Sequence, residues 1–257
     1  MRGLLILSLA VLLSGCITTS ESIFTGEESP SVALKKRVEL ARAYIGQGNW
    51  ENAKRNLKLA AEIDPKNAEV YEAFALVYQS TGEFELAEEN FQLAINLDKQ
   101  FSRARNNYAS FLFTQQEFVA AEQQLEIVIR DTLYSGRPQA FTNLGLCRIR
   151  LGKTEEAVEA LQRALMMQQR NPVALLALAE VLYDMGQYEQ AQGYYVSYRG
   201  TVAQPSAGGL WVGIQLARVL DLPDDQASLE LSLRHLYPNS PEARALEQGR
   251  VNAGAVQ

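Results

Sequence analysis

The sequence predicts an all-α fold of about six stacked helix pairs, closed by a C-terminal capping helix. Three observations predict it. Residues 68–101 carry two runs of apolar residues at helical spacing, Tyr71, Phe74, Ala75 and Tyr78, then Phe84, Ala87, Phe91, Ala94 and Ile95. Gly82 separates the runs and supplies the open backbone that a tight reversal needs. The whole segment recurs at steps of about 34 residues on both sides. A single helix pair cannot bury both of its apolar faces, so each copy calls for a neighbour.

The copies follow in order. Residues 34–67 place Leu40, Ala41, Tyr44, Gly48, Trp50, Ala53, Leu57, Ala60 and Pro65 at equivalent positions. Residues 102–135 repeat the pattern through Tyr108, Ala109, Leu112, Phe118, Ala121, Leu125 and Val128, with Gln116 in place of the turn glycine. After a small insertion near Ser135, residues 138–171 supply Leu144, Gly145, Gly152, Ala157, Leu161 and Ala164. Residues 172–205 supply Leu178, Ala179, Leu182, Gly186, Tyr188, Ala191 and Tyr195. A sixth copy is degenerate: Val212, Gly213, Leu216 and Pro238 fit, with a slip of about one residue near Pro223. Gly208-Gly209 reads as a backbone reversal between copies five and six. Beyond Pro238, Ser240 and Pro241 suit the N-cap and first position of a polar helix over 241–251, within a terminal segment of 239–257.

This pattern resembles the tetratricopeptide repeat over residues 34–238. The resemblance implies a right-handed superhelix whose concave groove is lined by the first helix of each pair. It places Arg42, Leu76, Asn106, Ser110, Phe113, Leu146, Ile149, Leu176 and Tyr183 on that groove, with Val38, Ile45, Glu72, Gln79, Arg103, Thr142 and Glu180 beside them. Several of these are apolar where a solvated face would carry polar groups, so an amphipathic helix or an apolar peptide end is the expected occupant. Asn107 and Asn143 match the asparagine of a carboxylate clamp, whereas Val173 and Ala177 stand where its basic partners would sit.

The N-terminus reads as an address. Met1-Arg2 precedes an apolar run from Leu4 to Leu13, too short to span a bilayer but suited to a signal-peptide core. Leu13-Ser14-Gly15-Cys16 resembles a bacterial lipobox, which implies cleavage after residue 15 and covalent lipid on Cys16. Ile17 is not the aspartate that the lipoprotein resemblance associates with inner-membrane retention, so the expected location is the periplasmic face of the outer membrane. Residues 16–33 read as a lipidated tether; roughly 16 residues reach up to about 50 Å when extended.

Composition excludes several functions. The net charge is −6, and loss of Arg2 with the leader makes it more acidic, which disfavours nucleic acid and polybasic membrane contact. Of two cysteines, Cys16 is taken by lipid, leaving Cys147 as a buried small apolar residue. His235 stands alone, which supports neither a metal site nor a nucleophile–base pair. No phosphate-binding glycine loop occurs, and the pairs Glu88-Glu89 and Glu155-Glu156 read as solvated convex surface. The expectation is a binding protein without catalytic, metal or cofactor chemistry beyond its lipid.

Two stretches narrow the family. Ala104-Arg105-Asn106-Asn107-Tyr108-Ala109-Ser110-Phe111-Leu112, and Asp131-Thr132-Leu133-Tyr134 with Phe141-Thr142-Asn143-Leu144-Gly145-Leu146, resemble the PilF/PilW family of six-repeat type IV pilus biogenesis lipoproteins. The lipobox, the insertion after the third copy and the Leu236-Tyr237-Pro238 ending agree with it. That resemblance implies a pilotin, which binds a secretin subunit and promotes its outer-membrane localisation and multimerisation. The residues alone leave open a repeat scaffold of another envelope assembly machine.

Overall fold

The structure is a computed structural model that describes residues 29–254. The segment read as a signal peptide, Cys16 and most of the expected tether lie outside the described residues. Thirteen helices form among those described: α1 (Pro30–Gly46), α2 (Trp50–Ile63), α3 (Ala68–Thr81), α4 (Phe84–Leu97), α5 (Ser102–Thr114), α6 (Phe118–Val128), α7 (Arg137–Arg150), α8 (Thr154–Met167), α9 (Pro172–Asp184), α10 (Tyr188–Arg199), α11 (Ala207–Val219), α12 (Pro223–Leu236) and α13 (Pro241–Gly254). Each odd helix packs on the even helix after it, and each even helix as far as α10 packs on the next odd one. The odd helices also touch one another in sequence, from α1 to α13, so they form one continuous wall.

Local chemistry sets the helix ends. The Ser29 side chain accepts from Val32 N with Pro30 in the first turn, so α1 begins inside the segment expected to be tether. The expected tether end at residue 33 is therefore too late: a serine cap followed by proline starts a helix before the apolar pattern becomes visible. Asn49, Asn67, Asn171 and Ser206 cap α2, α3, α9 and α11 in the same way.

One turn joins the two helices of every pair. Gly48, Gly82, Gly152 and Gly186 have φ of 69°, 82°, 72° and 74°. Gln116 (φ 65°) and Asp221 (φ 53°) hold the same left-handed place in copies three and six. The next N–H then reaches back to a carbonyl in the preceding helix: Asn49 to Tyr44 (2.9 Å), Glu83 to Tyr78 (2.9 Å), Glu117 to Leu112 (2.9 Å), Lys153 to Arg148 (2.9 Å), Gln187 to Leu182 (2.8 Å) and Leu222 to Ala217 (2.8 Å). This is the Schellman closure of a helix C-terminus, and its recurrence makes the degenerate sixth copy a true repeat. The caps Asn171 and Ser206 lie 35 residues apart (206 − 171), so the extra residue falls between α10 and α11 and not near Pro223 as expected.

Packing repeats as strictly as the turns. Ala53, Ala87, Ala121, Ala157 and Ala191 are all fully buried where the helices of each pair cross. One turn on, Leu57, Phe91, Leu125 and Leu161 are also fully buried, and Tyr195 takes that place in copy five. The larger Tyr195 needs compensation, and it lies against Gly213 of α11, just as Tyr198 lies against Gly209. Gly208-Gly209 is thus no reversal: both residues sit inside α11 without positive φ, and Gly209 is the hollow that admits a tyrosine ring. At the far end Leu210, Ile214, Leu233, Ala243 and Leu246 form a separate cluster through which α13 covers the last pair.

A buried ion cluster ties copy three to copy four. Glu122 is 6% exposed. It accepts from Arg148 Nε at 3.1 Å and from Lys153 Nζ at 2.5 Å. Burial pushes its carboxyl up, but the hydrogen bonds and charges of Lys153 and Arg148 outweigh that and hold it below its ordinary value of 4.5.

Two predictions come from this packing. A Cβ at Gly145 would lie 2.5 Å from Leu161 Cγ, in a site with no room to yield, so Gly145→Ala should destabilise the fold by about 1–3 kcal/mol. Unchanged thermal or denaturant midpoints would refute that. For Glu122 the depressed folded value means that its stabilisation is present above the ordinary 4.5 and is lost as pH falls through the folded value. Wild type should therefore lose more stability than Glu122→Gln between neutral pH and pH values below that range, as read from urea midpoints across the acid limb.

Candidate partner-binding groove

The odd helices expose three successive cavities along the groove wall. The first is about 460 Å³ and is lined by Leu34, Val38, Arg42, Asn67, Glu69 and Arg103, among others. Beneath it lies Glu72, expected to face the groove but fully buried. Its carboxylate pairs with Arg42, accepts from Asn107 Nδ2 at 2.6 Å, and has Arg103 Nε at 3.8 Å. Arg103 also pairs with Glu69 at 2.9 Å. Arg42 and Asn107 therefore hold three adjacent copies together through one carboxylate, a structural use that leaves Asn107 unavailable as a clamp residue.

The middle cavity is about 230 Å³ and mostly apolar, lined by Ala109, Ser110, Phe113, Thr114, Asn143, Leu146 and Cys147. It brings together Ser110, Phe113 and Leu146 of the expected groove set. The Phe113 ring meets Phe118 edge-on, with centroids 5.1 Å apart and planes at 68°, which fixes one side of the cavity. Asn106 is not open to a ligand: it is 7% exposed, and its Oδ1 accepts from Asn143 Nδ2 at 3.3 Å. The same Asn143 nitrogen reaches Ser110 Oγ at 3.2 Å, and Gln139 Nε2 donates to Asn143 Oδ1 at 2.9 Å. Cys147 is buried, as expected, and burial pushes its thiol up to about 12, so it stays protonated and unreactive.

The third cavity, about 310 Å³, lies between α7, α9, α11 and α13. Ile149 and Tyr183 line it with Val181, Val212 and Trp211, and Glu180, Asp184, Gln215 and Glu242 stand around it. Leu76 and Leu176 line none of these three cavities; both are half-buried against the main core, where the curvature of the stack covers them.

Comparison with known proteins places the chain. Models of the tetratricopeptide repeat match residues 37–67, 68–101, 112–174 and 148–204. The chain is 35% identical to the type IV pilus assembly protein PilF of Pseudomonas aeruginosa over 248 residues, covering 94% of this chain and 96% of that one. It belongs to the PilF/PilW family. The solved structure of Pseudomonas aeruginosa PilF superposes with a TM-score of 0.82 at 34% identity, covering 86% of this chain and 99% of that one. The crystal structure of PilW, described as a widely conserved type IV pilus biogenesis factor, gives 0.74 at 25% identity over 83% and 97% of the two chains. The fold is the all-α tetratricopeptide superhelix expected from the repeats.

Within this PilF/PilW-family groove, Trp211, Gln215 and Glu242 escape the sequence reading. With the 34-residue step, Leu176 maps to Leu210, a core residue; with the one-residue slip it maps to Trp211, on the groove. Asp184 was missed because it ends α9 one residue beyond the last mapped position, Tyr183. The signal that would have found Trp211 and Gln215 is the cap spacing from Asn171 to Ser206.

The buried carboxylate under the first cavity yields a stability test. Glu72→Ala removes the partner of Arg42 and Asn107 and should cost about 1–3 kcal/mol, discounted because the guanidinium keeps some solvent. Equal urea midpoints for variant and wild type would show that the network holds nothing.

Proposed function

We propose that this chain is an outer-membrane lipoprotein of type IV pilus biogenesis that acts as a pilotin. In this reading Cys16 carries the lipid and faces the repeats to the periplasm. The groove binds a secretin subunit and so promotes its localisation and multimerisation at the outer membrane. The observation that carries the proposal is the 35% identity to a type IV pilus assembly protein across 94% of the chain. The superhelical groove supports a binding role in place of a catalytic one, since repeat stacks offer extended surfaces for another chain. The contact we assign first is the cavity of Ser110, Phe113 and Leu146, which would seat an apolar side chain of the partner. Arg42, Asn106, Ile149, Leu176 and Tyr183 belong to the same wall, with Arg42 and Asn106 positioning it from beneath. No cofactor enters; the covalent lipid supplies the membrane affinity, at about 0.8 kcal/mol per buried methylene.

The test is the state of the secretin in outer membranes of cells with the wild-type gene, without it, and with Cys16→Ala or Phe113→Asp. Loss of heat-stable multimers without the protein supports the pilotin role. Multimers in the wrong membrane with Cys16→Ala assign the lipid its sorting task. Phe113→Asp should reduce multimers at least tenfold while the purified variant keeps its helical signal; Leu146→Glu, on the opposite wall, should do the same. Multimers unchanged in every strain would refute the role and point to a scaffold in another envelope machine.

A further inference from the structure

The two ends of the stack are closed to different degrees. At the C-terminal end the chain covers itself, through α13 on Leu210, Ile214 and Leu233. At the N-terminal end Val32, Lys36, Leu40 and Ala43 fall on one stripe of α1, at i, i+4, i+8 and i+11. In later copies this stripe seats on the copy before. Phe74, in the place of Leu40, is buried among residues of the first pair, and Tyr108 lies on the Phe91 ring with centroids 5.6 Å apart. Val77 and Phe111, in the place of Ala43, are buried as well. No helix precedes α1 among the described residues, so Leu40 is left 41% exposed and Val32 44%, with Ala43 exposed beside them. Lys36 and Glu39, where copy two has Val70 and Ala73, make part of this end polar, as an end unit requires. The apolar remainder of the stripe stays open.

We propose that Ile23 and Phe24 of the same chain close this end by docking on Val32 and Leu40. Reach allows it. Leu40 lies about 15 Å along α1 from Pro30 at roughly 1.5 Å per residue, and the chain from Ser29 back to Phe24 and Ile23 spans up to about 16–21 Å. Side-chain chemistry points the same way: between Cys16 and Ser29 the large apolar residues are Ile17, Ile23 and Phe24, and the last two are adjacent. Charge agrees, since that segment carries Glu21, Glu27 and Glu28 and no basic residue, whereas the early turns of α1 carry Lys35, Lys36 and Arg37. A second copy docked stripe to stripe would instead set these bases against their own counterparts. Where Cys16 carries lipid, docking leaves residues 17–22 as the free leash, roughly 25 Å at most. The docking itself does not rest on the lipid reading or on the identity of any partner.

Thermal melts of the full chain in non-ionic micelles test this. Glutamine matches leucine in helix propensity, so on a bare stripe Leu40→Gln leaves the midpoint where it was. On a covered stripe it should lower the midpoint by about 2–4 °C. Phe24→Ser should lower it by a similar amount, and the double variant no further, because both changes remove one contact. Phe24→Cys with Leu40→Cys should give a crosslinked peptide on mild oxidation, read by mass spectrometry. Phe24→Cys with Leu231→Cys, a site 67% exposed on α12, should not. Unchanged midpoints in both single variants, additive losses in the double variant, or no crosslink to position 40 would each overturn the proposal. A loss in Leu40→Gln alone, with a midpoint that depends on protein concentration, would overturn it in favour of a second copy. The secretin assay is decided separately. A secretin indifferent to deletion of the gene refutes the pilotin role and leaves a positive docking result standing. A secretin that needs the protein, together with no coupling between positions 24 and 40, refutes only the docking.

Discussion

A two-helix unit has an apolar stripe on each helix and covers only part of either one by pairing, so the remaining surface has to be buried by the next unit. Every feature of this fold answers to that need. The fully buried alanines at 53, 87, 121, 157 and 191 let the helices of a pair approach closely. The large side chain one turn later, Leu57, Phe91, Leu125, Leu161 or Tyr195, fills the core beside the crossing. The same interface is reused along the chain, and only the ends need different treatment. At the C-terminal end α13 supplies it by covering Leu210, Ile214 and Leu233.

Identical apolar interfaces would leave the order of the copies poorly specified, and the buried polar groups correct this. Glu72 satisfies its charge with Arg42 from the copy before and with Asn107 and Arg103 from the copy after. Glu122 requires Arg148 and Lys153, which only the fourth copy carries. Asn171 caps α9 with its oxygen while its nitrogen donates to Thr142 Oγ1 at 3.0 Å, joining the fourth copy to the fifth. A buried polar atom without its partner costs more than the bond itself contributes, so each of these contacts penalises a misplaced neighbour. They also explain why residues expected on the groove, such as Asn106 and Glu72, face into the stack: the wall is held in shape from behind by the polar groups that periodicity assigned to its surface.

Much of this was legible in the sequence because helical periodicity and turn glycines report directly on the burial that the stack demands. Where other residues meet the same demand, the signal fades. Gln116 and Asp221 adopt the left-handed turn without being glycine, since the surrounding closure bond over-determines the backbone there. Gly208-Gly209 looks like a turn but lies within α11, and Gly209 serves packing, because a glycine that makes room for Tyr198 and one that reverses the chain are the same letter. The single extra residue before α11 shifts the groove face of copy six by about 100° of helix rotation, which moves Trp211 onto the groove in place of Leu210. The apolar cavity of Phe113 and Leu146 was readable because it keeps the repeat register. Trp211, Gln215 and Glu242 were not, because they come from the slipped copy and the capping helix.

The proposed anchor adds a constraint that acts before any groove contact forms. α1 starts at Pro30, so a lipid on Cys16 would leave the repeats within about 45 Å of chain from the bilayer, since each residue spans at most about 3.3–3.6 Å. Confinement to such a layer converts a three-dimensional search into a local one and raises the effective concentration toward any partner that meets the same membrane. Under that confinement the groove has no need of very tight affinity, and can work by discrimination. An apolar cavity set in a fixed wall can hold a bound segment in one register by excluding wrong alignments. On that proposal anchor and groove would divide the work: the lipid would limit where a partner is met, and the shape of the groove how it is held.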